Sequence, residues 1–276
     1  MRLLHGRPVA ERVNARTKER ADALASRGTT PTLDVLRVGA DPAAGTYLAR
    51  LMRQAGSLGI TVNEVPLPPS EADIVTHLQL KTKHAHGILM LTPLPSPLDE
   101  AKITEHIPPA KDVEGVSPES VGLLTLGRPR FIPSTAEAVL ELLRFYEVAL
   151  DGTRAVVIGR SPVVGRPAAT LLLHAHATVT LAHSRTADLP SHTRDAQLVV
   201  VAVGRQGFLR GDMIAKGATV IDAGINVTPS GIAGDADESV AAVAGALSPV
   251  PGGLGAVTTA LLLRNVVTAA EQQIGT

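Results

Sequence analysis

The chain has 276 residues, of which 45% are apolar and 19% charged, and its 26 basic side chains balance its 26 acidic ones. A balanced charge gives no electrostatic reason to expect a nucleic acid or a membrane surface as partner. No cysteine is present, which excludes disulfides and thiolate ligands, and we expect neither a signal peptide nor a membrane span, hence a cytoplasmic protein. This length predicts two domains, since domains usually hold about 100 to 150 residues.

The first half of the chain alternates segments typical of helices and strands. Asp41 before Pro42 has the pattern of an N-cap followed by proline in the first helical turn, and Ser70 with Asp73 resembles a capping box. The order of the elements indicates a parallel sheet covered by helices. The predicted elements are helix 8–26, strand 32–38, helix 42–57, strand 60–66, helix 70–83, strand 87–91 and helix 134–143.

The second half repeats this alternation with apolar, β-branched segments, which are typical of parallel strands buried on both faces. We therefore predict an α/β protein of two domains: an N-terminal βαβ domain and a Rossmann-type domain with a parallel sheet. The second domain is expected over residues 134–257. Its strands are predicted at 154–158, 178–182, 197–203 and 218–222, followed by a C-terminal helix at 257–271.

A glycine-containing turn joins the strand at 154–158 to a helix expected from residue 168. Its spacing, G-x-S-x-x-x-G, is one residue longer than the usual dinucleotide fingerprint. Such a turn presents free N–H groups and the positive end of a helix to a pyrophosphate, although turns of this kind also serve packing alone. The residues predicted to bind the cofactor here are Gly159, Arg160, Ser161, Val164 and Gly165.

The next strand indicates which dinucleotide is bound. An NAD site usually carries an acidic residue at the end of this strand, to hold the ribose 2′-hydroxyl. Here Ser184 and Arg185 stand at that place, and Arg160 lies in the preceding turn. Guanidinium groups and a hydroxyl suit a 2′-phosphate, so the pattern favours NADP. The alternative is that Arg185 is an ordinary surface charge. Gly204 and Ile225 follow later strands and are predicted to face the same cofactor.

Several segments carry a resemblance that covers nearly the whole chain. They are Gly159-Arg-Ser-Pro-Val-Val-Gly-Arg-Pro167, Val201-Ala-Val-Gly204, Asp222-Ala-Gly-Ile-Asn226, Pro249-Val-Pro-Gly-Gly253, Lys111-Asp-Val-Glu-Gly115 and Thr92-Pro-Leu-Pro95. In these the chain resembles the bifunctional methylenetetrahydrofolate dehydrogenase/methenyltetrahydrofolate cyclohydrolases, the FolD family. The resemblance implies NADP-dependent oxidation of 5,10-methylenetetrahydrofolate and a homodimer that pairs through the NADP-binding domain.

The resemblance also implies where the folate is bound. Residues 1–133 and 258–276 would form the catalytic, folate-binding domain. Tyr47 and Glu114 would act at the reacting folate, with Tyr47 stacking on it and Glu114 holding the pterin amino group. An alternative for Tyr47 is a packed core residue. The full set of implied substrate-binding residues is Tyr47, Asp112, Glu114, Pro251, Gly252 and Gly253.

Three positions depart from the family pattern. Four residues after Tyr47, where the family has lysine, this chain has Leu51, and Leu91 replaces the family's glutamine before the proline-rich segment. Glu114 replaces an aspartate and keeps its carboxylate. Leucine cannot carry a proton, so we predict that the cyclohydrolase activity is weakened or lost. Hydride transfer depends mainly on positioning and is expected to survive.

Other interpretations of the sequence stay open at this point. Arg50 or Arg53, which flank Leu51, would compensate if either turned inward, although arginine is a poor general base. A non-catalytic binding protein of the same fold, or a reductase of another small substrate, would show the same nucleotide signature. Two His-x-His pairs, at 84/86 and 174/176, lack the spacing and the third ligand of a metal site, so no metal is expected.

Overall fold

The computed structural model describes residues 1–39, 42–229 and 231–275. By their contacts the residues divide into two compact units. We call the first the large-sheet unit, which comprises Met1–Glu11 and Pro133–Thr258, and the second the small-sheet unit, which comprises Arg12–Ile132 and Thr259–Thr276. No helix among the described residues combines the length and the apolar character needed to cross a bilayer.

Helices and strands are numbered separately along the chain. The strands are β1 (Arg2–Leu3), β2 (Thr32–Val38), β3 (Thr61–Leu67), β4 (Gly87–Met90), β5 (Arg154–Ile158), β6 (Thr178–Ala182), β7 (Leu198–Val201), β8 (Thr219–Asp222), β9 (Asn226–Thr228), β10 (Gly231–Ala233) and β11 (Ala246–Leu247). The helices are α1 (Gly6–Ser26), α2 (Pro42–Ser57), α3 (Glu71–Leu80), α4 (Glu100–Thr104), α5 (Pro118–Thr125), α6 (Ser134–Phe145), α7 (Gly165–His174), α8 (Leu189–Thr193), α9 (Val240–Val243) and α10 (Leu254–Ile274).

The large-sheet unit is built on a parallel sheet of six strands in the order β1-β11-β8-β7-β5-β6. Its central strands are apolar and buried, as strands covered on both faces must be. The chain leaves β5 toward β6 on one side and then returns to β7 on the other. The loops after these strands therefore diverge at the carboxyl end of β5, which is where open α/β sheets bind ligands.

The small-sheet unit holds three parallel strands in the order β3-β2-β4. Its central strand, β2, is buried along most of its length. One face is covered by an apolar core that includes Leu51 of α2, Phe131 and Leu263 of α10. Asn265 of α10 ties that helix to the unit, since its amide Nδ2 donates to the carbonyl of Val113 at 2.9 Å.

The predicted α/β fold with parallel sheets is confirmed, and Ser70 caps α3 as expected, accepting from the N–H of Asp73. Some boundaries are wrong. The helix after β5 begins at Gly165, three residues before the predicted start, and the strands at 197–203 and 218–222 are shorter than predicted. The short strands β1 and β11 and the hairpin β9–β10 were not predicted. The predicted cap at Asp41 lies outside the described residues. By its contacts, Met1–Glu11 belongs to the large-sheet unit. The predicted division into a folate-binding domain (1–133 with 258–276) and a nucleotide-binding domain (134–257) stays a prediction.

Candidate functional site

The turn between β5 and α7 requires glycine at both of its ends. Gly159 has a φ of 118°, and a Cβ placed there would lie 2.1 Å from the carbonyl oxygen of Ala202. A Cβ on Gly165 would lie 2.0 Å from the carbonyl oxygen of Gly159. Both distances are far inside van der Waals contact, so these glycines let the turn close on itself and on the loop after β7. Packing alone thus accounts for the two glycines.

Within this turn the polar groups divide into internal and exposed ones. The hydroxyl Oγ of Ser161 accepts the N–H of Val164 at 3.1 Å and of Gly165 at 3.3 Å, and so fixes the turn that leads into α7. Within residues 42–229, by contrast, no acceptor contacts the backbone N–H of Arg160 or Ser161. These two donors beside a helix N-terminus fit an anionic pyrophosphate.

Basic side chains flank the turn on the neighbouring strand end. Ser184 and Arg185 follow β6 and are exposed, as is Arg160. The turn that carries them is fixed, because the N–H of Arg185 donates to Nδ1 of His183 at 3.1 Å and the N–H of His183 donates to the Thr186 hydroxyl at 2.8 Å. Among the described residues neither Arg160 nor Arg185 forms an ion pair, so both guanidinium groups are available to a phosphate.

Two further loops end on the same edge of the sheet. Gly204 follows β7 and is exposed, and Ile225 follows β8 with a relative exposure of 67%. Each loop donates a backbone N–H to a buried carboxylate: Gly204 donates to Asp235, and Gly224, which precedes Ile225, donates to Asp222. Burial raises the pKa of Asp222, against the effect of three backbone N–H groups that donate to it. The sequence analysis did not select Asp235, because only the folded chain brings it to these loops.

The Pro249–Gly253 segment connects β11 to α10. Pro251 and Gly252 are exposed and Gly253 is buried. The carbonyl of Gly252 accepts the N–H of Gly6 at 2.8 Å, which anchors the segment to the start of α1. Gly252 has a φ of 110°, a backbone conformation that glycine adopts readily. The predicted substrate-binding residues here therefore lie on an ordered, exposed loop.

Replacing Gly159 by alanine should lower the free energy of unfolding by about 3 kcal/mol or more, since it adds backbone strain to a collision with a carbonyl. Gly204→Ala is a matched control, because Gly204 also has a positive φ, of 64°, but open space around its Cβ position. It should cost only about 1 kcal/mol. Urea unfolding of both variants measures the difference, and equal losses would show that the close approach at Gly159 is not what matters.

In the small-sheet unit, Tyr47 and Glu114 lie close enough to interact electrostatically. Tyr47 is half-buried on α2, and burial, with a smaller contribution from the Glu114 carboxylate, raises its pKa to about 12. Arg50 acts in the opposite direction. The Tyr47 phenol therefore keeps its proton at neutral pH and can donate a hydrogen bond. Glu114 is half-buried beside it.

Leu51 and Leu91, the two apolar residues among the three predicted departures from the family pattern, both pack in apolar surroundings. Leu51 is 1% exposed and belongs to the core that packs under β2. Leu91, which follows β4, packs against the same core. Arg50 and Arg53 are exposed on α2. The side chain at position 51 thus forms part of the hydrophobic core.

The other residues of the 111–115 motif support the loop around Glu114. Nζ of Lys111 donates to the carbonyls of Thr82 and Ala85, each at 2.6 Å, and burial lowers its pKa. The buried carboxylate of Asp112 accepts the N–H of Val116 at 3.1 Å and of Ser117 at 2.8 Å. The structure therefore gives Lys111 and Asp112 a role in shaping the loop, and substrate binding by Asp112 stays a prediction.

The histidine pairs take part in ordinary contacts. Nε2 of His84 lies 3.0 Å from Oδ2 of the buried Asp34, and Nδ1 of His86 accepts the N–H of Thr32 at 3.1 Å. His174 ends α7 and His176 follows it with a φ of 65°. The described ranges contain no group of histidine and acidic side chains arranged to hold a metal ion.

A parallel sheet with a glycine turn, free N–H donors and cations at its switch point defines a nucleotide-binding α/β protein. Comparison with known proteins gives the family. Residues 133–274 match the NAD(P)-binding domain of tetrahydrofolate dehydrogenase/cyclohydrolase, and residues 4–114 match its catalytic domain. The chain therefore belongs to the tetrahydrofolate dehydrogenase/cyclohydrolase, or FolD, family, as its motifs predicted.

Individual relatives match along their whole length. A protein of Parafrankia sp. described as "Bifunctional protein FolD" is 48% identical over 98% of this chain and 99% of its own. The crystal structure of the bifunctional FolD enzyme from Campylobacter jejuni is 39% identical, with a TM-score of 0.94 and 99% of each chain covered. A FolD structure from Trypanosoma brucei, described as complexed with NADP cofactor and inhibitor, is 34% identical, with a TM-score of 0.92 and coverage of 99% and 98%.

Proposed function

We propose that this protein is an NADP-dependent 5,10-methylenetetrahydrofolate dehydrogenase in which the cyclohydrolase activity of its family is weakened or lost. The observation that carries the proposal is a contrast between its two units. Among its described residues, the large-sheet unit has unpaired N–H donors and exposed cations where the sequence predicts phosphate binding, whereas the small-sheet unit has Tyr47 and Glu114 but buries Leu51 at the position where the family pattern predicts a lysine. Residues 134–257 would bind the nucleotide, and residues 1–133 with 258–276 the folate.

The nucleotide specificity is supported by charge. NADP⁺, when bound, supplies a nicotinamide that accepts a hydride. The N–H groups of Arg160 and Ser161 would bind the pyrophosphate, with Gly159, Val164 and Gly165 shaping the turn. Arg160, Ser184 and Arg185 would hold the 2′-phosphate that distinguishes NADP from NAD. Gly204 and Ile225 would line the rest of the cofactor surface.

On the folate side the reaction needs orientation more than proton transfer. The methylene carbon loses one hydrogen with its electron pair as hydride, and a folate nitrogen lone pair forms the new C=N bond of the methenyl cation. No proton moves in this step. Tyr47, with its raised pKa, would stack on the folate and donate a hydrogen bond, and Glu114 would accept from the pterin amino group. Asp112, Pro251, Gly252 and Gly253 complete the proposed substrate-binding residues.

Hydrolysis of the methenyl cation makes a different demand. Water must attack carbon and lose a proton, and a positioned acid–base group typically accelerates such a step by about 10² to 10⁴. Leu51 and Leu91 offer no group that titrates. Arg50 and Arg53 are exposed, and a guanidinium is a poor general base, so they do not replace a lysine.

Steady-state rates with methylenetetrahydrofolate and either NADP⁺ or NAD⁺ test the proposal. We expect kcat/KM to be at least about tenfold higher with NADP⁺, since a charge-assisted contact to the 2′-phosphate exceeds 1.4 kcal/mol. Nucleotide binding without turnover would instead support a non-catalytic binding protein. Turnover of NADPH with another small carbonyl compound only would support a different reductase. The homodimer implied by the family resemblance and the cytoplasmic location expected from the sequence are part of this proposal.

A further inference from the structure

Asp235 occupies an unusual position under the nucleotide-facing loops. Three consecutive backbone N–H groups of the turn after β7 point at its carboxylate: those of Val203 at 2.6 Å, Gly204 at 2.9 Å and Arg205 at 2.8 Å. Successive N–H groups that converge in this way form a nest, a concave site for an anion. Here the anion in the nest is the Asp235 carboxylate of the same chain. The N–H of Gly204 is therefore engaged and is not available to a ligand.

The same carboxylate also holds the loop after β8. Nδ2 of Asn226, which directly follows Ile225, donates to Oδ1 of Asp235 at 2.9 Å. Asp235 is fully buried, and its negative charge is compensated by these four donors rather than by a cation in the residues that the structure describes. Charge-assisted hydrogen bonds of this kind are about twice as strong as neutral ones. One side chain thus fixes the two loops that end β7 and β8.

Asp235 is itself held in place by a second buried carboxylate. Asp222 accepts the N–H of Asp235 at 3.0 Å, of Ala236 at 2.9 Å and of Gly224 at 2.8 Å. Gly224 is required at this point, because a Cβ there would lie 2.3 Å from Cγ of Asp235. The buried carboxylates, the nest and the glycine form one arrangement, in which Asp235 cannot move without displacing a loop.

We propose that Asp235 is a positioning residue for the nicotinamide cofactor, acting through the loops that carry Gly204 and Ile225. The inference rests on the proposed function, since it assumes that those loops line the cofactor. Asp235 touches neither ligand in this account. Its effect on the reaction should therefore appear in the binding of the nucleotide, not in the hydride transfer step once the nucleotide is bound.

The variant Asp235→Asn tests this role with little change in volume. An amide has one acceptor oxygen instead of two and places an NH₂ group against N–H donors, so the turn after β7 should shift. We expect the KM for NADP⁺ to rise about tenfold or more, with kcat at saturation within about twofold and the KM for methylenetetrahydrofolate unchanged. Asp237→Asn is the matched control: its carboxylate accepts the N–H of Ser239 at 2.9 Å and, within the described residues, none of the four donors that Asp235 holds, so its KM values should equal those of the natural protein.

A purely structural role for Asp235 would lower the melting temperature without separating the two KM values, and that result overturns the inference. If Asp235→Asn does not fold, Asn226→Ala removes only one of the four donors and should raise the KM for NADP⁺ about threefold. Unchanged KM values in that variant also overturn it. A natural protein that shows no turnover with NADP⁺ would instead contradict the proposed function, so the two failures are distinguishable.

Discussion

Replacing Leu51 by lysine and Leu91 by glutamine together should raise the rate of methenyltetrahydrofolate hydrolysis by about 10²-fold or more, because the variant gains a group that can exchange a proton. The rate of methylenetetrahydrofolate oxidation should change little, since hydride transfer depends on how the two ligands are oriented. Hydrolysis is followed by the loss of methenyltetrahydrofolate absorbance in the absence of nucleotide.

Burial sets the difficulty of this experiment. Leu51 is part of the hydrophobic core, so a lysine there must reach a polar partner or lose its charge. The Leu91→Gln substitution is included because its amide would give the lysine at position 51 such a polar partner. Leu51→Met with Leu91→Met is the matched control, which keeps the volume and adds no proton carrier. If the natural protein already hydrolyses the methenyl compound as fast as it forms it, the role assigned to Leu51 and Leu91 is wrong.

Removing both exposed guanidinium groups, in Arg160→Ala/Arg185→Ala, should raise the KM for NADP⁺ by about 10²-fold, since each charge-assisted contact contributes roughly tenfold. The KM for NAD⁺ should stay within about threefold, because that nucleotide lacks the 2′-phosphate. The preference for NADP⁺ is thereby lost or reversed. Both KM values are measured from initial rates with each nucleotide at saturating methylenetetrahydrofolate.

Arg194→Ala is the control for nonspecific charge effects. Arg194 is equally exposed in the large-sheet unit, but it precedes β7 at the amino end of the sheet, where its Nε donates to the carbonyl of Asp212 at 2.9 Å. Its loss removes one positive charge without touching the proposed site, so both KM values should be unchanged. Equal losses of affinity for NADP⁺ and NAD⁺ in the double variant would mean that Arg160 and Arg185 do not contact the 2′-phosphate.

The sequence predicted the elements that have a strong local pattern. Strands β5 and β6 each contain three consecutive β-branched residues, and their predicted bounds agree with the structure. Strands β1 and β11 have only two residues each, so they show no periodicity, and they exist because each finds a partner far away in the chain. The start of α7 was missed because its first turn contains Gly165 and Pro167; both are weak helix formers, but a proline in the first turn removes no helical hydrogen bond.

The site was predictable to the extent that it depends on motifs. Glycine spacing and basic residues after a strand predicted the turns that we propose to face the nucleotide, and the 111–115 motif predicted the loop around Glu114. Motifs do not show what each member contacts within the fold: the side chains of Lys111 and Asp112 hydrogen-bond to backbone groups of their surroundings. Asp235 stands in the sequence beside Asp237 and Glu238 with nothing that distinguishes it from them, and its proposed role follows only from the four donors that the fold brings to it.

The central claim, oxidation without hydrolysis, is tested most directly by following both products of one reaction. Purified protein is mixed with methylenetetrahydrofolate and NADP⁺, and NADPH and methenyltetrahydrofolate are quantified over the same time course. We predict one methenyltetrahydrofolate for each NADPH, with the methenyl compound then disappearing only at the rate seen without protein. Formation of NADPH with no accumulation of the methenyl compound would contradict the account, because the protein would then be hydrolysing its own product.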